Sequence, residues 1–345
     1  MASMLSPLYI AEIAPSSIRG RLVSFNQLAI VGGIALVYFV NYSIAAQGDD
    51  AWIKSTGWRL MLLSEAIPAV VFMLLLLMVP DTPRWLVMRG RHDEAHGILV
   101  RLVGVDTARS TVTEIVASLA VQTDRAAPRL FAFGTLVIVA GIMLSVFQQF
   151  VGINAVLYYA PLMFKNMGAT TNSAFLQTVI TGIANVLFTV VAIVTVDHLG
   201  RKPLLIIGGL VMAGAMLVLG FLFNAQAVGI GALIAVVVYI AGFALSWGPV
   251  TWVLLAEMFP NSIKNRALAI AVAAQWVANL FISVTFKFLD GNSALNAAFH
   301  HGFAYWIYGV MGVLAALFVY MYVPETKQKT LEGIQNLWSR GDSTA

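Results

Sequence analysis

Apolar residues run along the chain in long unbroken stretches, separated by polar intervals and without strict alternation of apolar and polar positions. A helix needs about 20 apolar residues to cross a hydrocarbon core, whereas a barrel strand would alternate. Eight stretches meet the helical requirement: Leu22–Ala46, Trp58–Val79, Leu130–Phe164, Ser173–Val196, Pro203–Phe223, Ile230–Glu257, Ala267–Leu289 and Phe303–Val323. Two of them are irregular. Leu130–Phe164 is too long for one straight span and contains Gly152 and Pro161, which predicts a break near Gly152. Ile230–Glu257 contains Gly248-Pro249, which predicts a kink there. The interval Pro80–Arg129 mixes Glu, Arg and His with Leu, Ile and Val and reads as short helices outside the bilayer. An all-α membrane protein is expected.

Composition agrees: 60% of the 345 residues are hydrophobic and 10% charged, against about a quarter charged in soluble domains. The charges report orientation. Alternating the loops puts sixteen of the twenty Lys and Arg on one side and leaves Lys54, Arg59, Lys165 and Lys287 on the other. That asymmetry predicts cytoplasmic termini. A net charge of +4, carried by scattered residues, gives no argument for nucleic acid. Without cysteine there is no disulfide, thiol catalysis or Cys-based metal site. His300 and His301 lack ligand spacing with other donors, and no nucleophile–base constellation appears, so neither a metal site nor an enzyme is expected.

The segment Ala11–Arg21 matches Ala256–Arg266 at six of eleven positions with an offset of 245, and Pro80-Asp-Thr82 matches Pro324-Glu-Thr326 at 244. Each pair of matches brackets two spans, the signature of an internal repeat. The second unit begins near Leu130 and holds six spans, whereas two full spans of the first are present. The repeat therefore predicts twelve spans with about 115 residues missing before Met1, and the chain alone is not expected to transport; a genuine eight-helix protein is the alternative. The expected parts are 1–79 (remnant of a first six-helix bundle), 80–129 (cytoplasmic linker helices), 130–323 (second six-helix bundle) and 324–345 (cytoplasmic tail).

Two groups of residues carry candidate chemistry. At the loop Asp197-His-Leu-Gly-Arg-Lys202, acid and base can bridge neighbouring helices, and Glu12 with Arg19 and Glu257 with Lys264 repeat an acid–base pair at seven-residue spacing. One such loop is ordinary flanking charge; three, two of them repeat-related, suggest a one-sided gate made of Glu12, Arg19, Asp197, Arg201, Glu257 and Lys264. Within the spans lie the amides Gln27, Gln148, Gln149, Asn154, Asn185 and Gln275, with Tyr158, Trp252 and Trp276. Amides and aromatic rings suit a ligand that presents hydroxyls and C–H faces. Pairing between helices is the competing explanation for each amide alone. Asn154 and Tyr158, four apart, share a helical face, as do Gly248 and Trp252. Glu65 is a carboxylate well inside a span, where charge is costly. Gly208, Gly209 and Gly214, mid-span, suggest close helix packing.

The motifs Asp197-His-Leu-Gly-Arg-Lys202, Pro80-Asp-Thr-Pro-Arg-Trp-Leu86 and Pro324-Glu-Thr-Lys327 resemble those of the sugar porter family of the major facilitator superfamily. Phe147-Gln-Gln-Phe-Val-Gly-Ile-Asn154, Tyr158-Tyr159 and Trp247-Gly-Pro-Val-Thr-Trp252 extend the resemblance over the whole chain. It implies secondary transport of a monosaccharide such as D-xylose in symport with protons by alternating access. It also implies a monomer in the bacterial cytoplasmic membrane, without a cofactor. It places the sugar against Gln27, Gln148, Gln149, Asn154, Tyr158, Asn185, Trp252, Gln275 and Trp276, with Gly248 leaving room, and puts Glu65 in the proton-coupling network. The family's principal proton-carrying aspartate would lie in the missing region. Lys264 stands where arginine is usual, and Gln328 where glycine is usual. Uniport without protons and a non-transporting membrane sugar sensor are the alternatives.

Overall fold

The computed structural model describes residues 6, 9, 10, 13, 19–124, 134–259 and 263–326. Helices account for its regular structure, and no strand occurs among the described residues. Eight helical segments are long and apolar enough to cross a membrane. The chain divides into two units, Met1–Asn26 with Leu62–Ala132 and Gln27–Met61 with Phe133–Ala345.

Helix α1 (Arg19–Ala45) is followed by the span α2 (Asp50–Leu76). A π-turn at Ile53–Gly57 interrupts α2, and a break at Glu65 leaves that side chain exposed. The polar interval is helical, as its composition predicts: α3 (Pro83–Met88), α4 (His92–Val103) and α5 (Val105–Asp124). Thr82 accepts the Trp85 N–H and Pro83 opens α3, so the Asp-Thr-Pro motif works as a helix start. Leu86, Val87 and Ala95 form a small apolar core with Trp85, Ile98, Val112 and Ile115. Arg91 grips Glu94 through two hydrogen bonds of 2.7 and 2.6 Å, which holds the Glu94 carboxyl below its ordinary pKa.

The larger unit holds α6 (Thr135–Phe150), α7 (Ile153–Tyr158), α8 (Ala160–Asn166), α9 (Thr171–Leu199), α10 (Arg201–Asn224), α11 (Ile230–Leu245), α12 (Trp247–Met258), α13 (Lys264–Asp290), α14 (Ser293–Phe299) and α15 (Phe303–Tyr322). The long stretch breaks at Gly152, whose φ of 91° suits glycine. Lipid has no donors for the carbonyls a break releases, so broken helices persist only inside protein. Here Tyr239 of α11 donates to the Val151 carbonyl at 2.8 Å, and the Tyr308 ring lies against Gly152.

The second break corrects the expectation of a kink at Gly248-Pro249. It falls at Ser246, with φ −133° and ψ −87°, two residues earlier. Pro249 sits in the first turn of α12, where its missing N–H costs nothing, so the proline helps start a helix. Trp247 is fully buried beside the break, and its indole N–H donates to the Leu205 carbonyl at 2.8 Å.

Helix α10 packs closely on α11, α12 and α15 through small residues. A Cβ on Gly209 would meet Ala316 at 3.2 Å, and one on Gly312 would meet the Ala213 backbone at 3.2 Å. A Cβ on Gly208 would collide with Ser246. Gly214 does not serve this packing, because nothing lies within 4 Å of a Cβ there. What the facing helix presents, not the residue type, decides which glycines meet a partner.

Candidate functional site

The break after α6 gathers amides from distant parts of the chain. Gln148 and Gln149 occupy the last turn of α6, and Asn154 opens α7 just beyond the turn at Gly152. Asn154 Nδ2 donates to Gln149 Oε1 at 2.6 Å across that turn. Gln148 Nε2 donates at 2.9 Å to the Trp247 carbonyl, where α12 begins. Gln148 Oε1 accepts from Gln275 Nε2 of α13 at 2.6 Å and from Gln149 Nε2 at 3.5 Å. Gln148, Gln149 and Gln275 are all buried. One hydrogen-bonded network thus joins α6, α7, α12 and α13. Its members lie beside the two backbone breaks: Gln148, Gln149 and Asn154 flank Gly152, and Trp247 follows Ser246.

Three buried amide oxygens, Asn41 Oδ1, Asn185 Oδ1 and Gln275 Oε1, have no hydrogen-bond partner among the described residues, and the last two belong to the candidate amides. A buried polar atom left so costs roughly 1–3 kcal/mol. Asn185 lies on α9 and is buried. Tyr158 and Trp276 are about half-exposed, at 55% and 50%, while Trp252 and Gln27 are partly buried. The atoms nearest a Cβ on Gly248 belong to Phe243, at 3.1 and 3.3 Å, so the glycine gives room to its own preceding helix. The structure therefore joins four of the candidates to one another by hydrogen bonds; Tyr158, Gly248, Trp252 and Trp276 lie on the same helices as that network, and Gln27 and Asn185 lie on α1 and α9.

One polar residue escaped the sequence reading. Asn279 is buried one turn beyond Gln275 on α13, donates to Tyr158 Oη at 3.4 Å and accepts from Ser283 at 3.3 Å. Its spacing of four from Gln275 was the available signal.

A second polar cluster sits at the start of α10. Arg201 pairs with Glu257 of α12 at 3.1 Å, and Thr326 donates to the other oxygen of the same carboxylate at 2.6 Å. Spacing had paired Glu257 with Lys264, which opens α13. The Glu325 carboxylate accepts the backbone N–H groups of Arg201 and Lys202 at 3.1 and 3.0 Å. An anion at the positive end of a 24-residue helix is favourable. Glu12 lies outside the described residues, as do the side chains of Arg19 and Asp197. Glu65 belongs to the other unit. At the opposite end of α13, His301 Nδ1 lies 2.8 Å from Asp290 Oδ1, which also accepts from Asn166 at 3.0 Å. No group of three or more metal-ligating side chains occurs among the described residues.

Comparison with known proteins agrees with this architecture. The family model described as sugar (and other) transporter matches residues 1–338. The D-xylose-proton symporter of Escherichia coli (strain K12) is 59% identical over 338 residues, spanning 98% of this chain and 69% of that protein. The glucose facilitated diffusion protein of Zymomonas mobilis is 47% identical, spanning 98% of this chain and 72% of that one. The major facilitator superfamily proton:xylose symporter XylE bound to 6-bromo-6-deoxy-D-glucose superposes with a TM-score of 0.82 at 59% identity, over 98% of this chain and 71% of that one. With eight apolar spans, two buried helix breaks and a match over nearly its whole length, the chain belongs to the sugar transporter family of the major facilitator superfamily.

Proposed function

We propose that the chain serves transport of D-xylose in symport with protons across a bacterial cytoplasmic membrane, with its termini on the cytoplasmic side. The observation that carries the sugar assignment is the buried amide network, in which Gln275 Oε1 is unpartnered, with a second unpartnered candidate oxygen, Asn185 Oδ1, on α9. Sugar hydroxyls are donors and acceptors at once. They can donate to those oxygens and accept from amide N–H groups of Gln149 and Asn154. Gln148 takes the supporting role, since the Trp247 carbonyl and the Gln275 amide already occupy both ends of its side chain. Gln27, Tyr158, Trp252 and Trp276 complete the sugar's surroundings, the aromatic rings covering its C–H faces, and Gly248 leaves it room. The choice of D-xylose rests on the 59% identical symporter.

The Arg201–Glu257–Thr326 cluster, capped by Glu325, belongs to a gate on the cytoplasmic side. Asp197 and Lys264 belong to the same gate, and Glu12 with Arg19 is the repeat-related acid–base pair of the other unit. Bonds made on one side only favour one state of a two-state machine. Glu65 takes part in coupling, because an ionisable group in mid-span can exchange a proton as its exposure changes. The protein acts as a monomer, each chain holding its own sugar site.

A second reading has its own support: the 47% identical relative is a glucose facilitated diffusion protein. Titration calorimetry with D-xylose in buffers of different ionisation heat separates the two. Symport predicts that protons are bound or released with the sugar, so the measured heat shifts with the buffer. Sugar binding with the same heat in every buffer would favour facilitated diffusion.

A further inference from the structure

Helix α7 ends in an unusual way. Its Leu157 carbonyl would ordinarily accept the N–H four residues on, but that residue is Pro161, which has none. Tyr38 of α1 supplies the missing donor, its hydroxyl bonding to the Leu157 oxygen at 2.6 Å. Room for the Tyr38 ring comes from α9: a Cβ on Gly182 would meet Tyr38 Cδ2 at 2.8 Å and the Ala35 backbone at 3.2 Å. Beyond the end of α1, the Asp50 carboxylate lies beside Thr171, the first residue of α9. Along α1, Gln27, Val31, Ala35 and Tyr38 fall on one helical face, and Val31 is buried.

We propose that Tyr38 is a positioning residue: it seats α7, and with it Asn154 and Tyr158, against α1, and its bond to Leu157 must break for the site to open toward the Asp50 face. This inference rests on the sugar-transport reading. The carbonyl that Pro161 leaves without a helical donor makes the latch reversible, because water can replace Tyr38 when the helices part. A bond that helix α7 could satisfy internally would give no such reciprocity.

The chain has no cysteine, so Val31→Cys provides a single reporter for a membrane-impermeant maleimide applied from the Asp50 face. Tyr38→Phe removes one oxygen and should speed labelling roughly two- to tenfold, the population change one net hydrogen bond supports. Gly182→Ala, which pushes the ring off its seat, should speed labelling to a similar degree, and the double variant should gain nothing more. Labelling of Tyr38→Phe at the parental rate, or effects that multiply in the double variant, would overturn the proposal. Added D-xylose should slow labelling of the parental reporter. If it does not, the sugar reading suffers alone, and the Tyr38 comparison still decides the latch.

Discussion

Gln148 spends its whole amide on protein partners: the Trp247 carbonyl on one side, the Gln275 and Gln149 amides on the other. Replacing it with leucine keeps the volume but strands a carbonyl and an amide in the protein interior. We expect Gln148→Leu to lower stability by roughly 1–3 kcal/mol, seen as a reduced melting temperature of the detergent-solubilised protein. An unchanged melting temperature would show that the network is not structural. Polar residues in an apolar stretch are visible in sequence, so Gln148, Gln149, Asn154 and Gln275 were legible as candidates. Their pairing was not. The bond from Gln148 to Gln275 closes over 127 residues, and nothing local to either residue encodes it. Asn279 carried the same local signal, a polar residue in an apolar stretch four from Gln275, but its bond to Tyr158, 121 residues away, was not legible.

Among the elements, the two broken spans behave differently although glycine and proline mark both. At Gly152 the left-handed φ requires the glycine, so residue and break coincide and the sequence locates the break. At the second, Ser246 takes the strain and Gly248-Pro249 follows inside the new helix, because proline is tolerated in a first turn. Helix α10 illustrates an end that only the tertiary structure completes. Its first N–H groups have no partner within the helix, and Glu325, more than 120 residues later, accepts two of them. Glu325→Gln removes the charge while keeping an acceptor. It should destabilise the protein by ~1 kcal/mol at low ionic strength, with a smaller loss at high salt because the dipole interaction is screened. Chemical denaturation at two salt concentrations measures it; equal losses at both would assign the effect to geometry instead of charge.

For the whole molecule, hydropathy and charge already described a helical membrane protein, since 60% apolar residues cannot be hidden in a water-soluble core of this length. The helices between Pro83 and Asp124 and the position of the first break were equally plain. The course of α1 was not: from Gln27 onward it falls with the later spans in contact, an arrangement that span lengths and loop charges do not specify. Family membership was legible because its motifs sit at turns and breaks, where only certain residues fit. The central claim is that the amide cluster of the larger unit binds sugar. Its most direct test is calorimetric titration of D-xylose into the parental protein and Gln149→Ala. The account predicts saturable binding by the parent, weakened by roughly 1–3 kcal/mol when the amide is removed. Equal affinity in the two proteins, or no saturable binding by the parent, would contradict it.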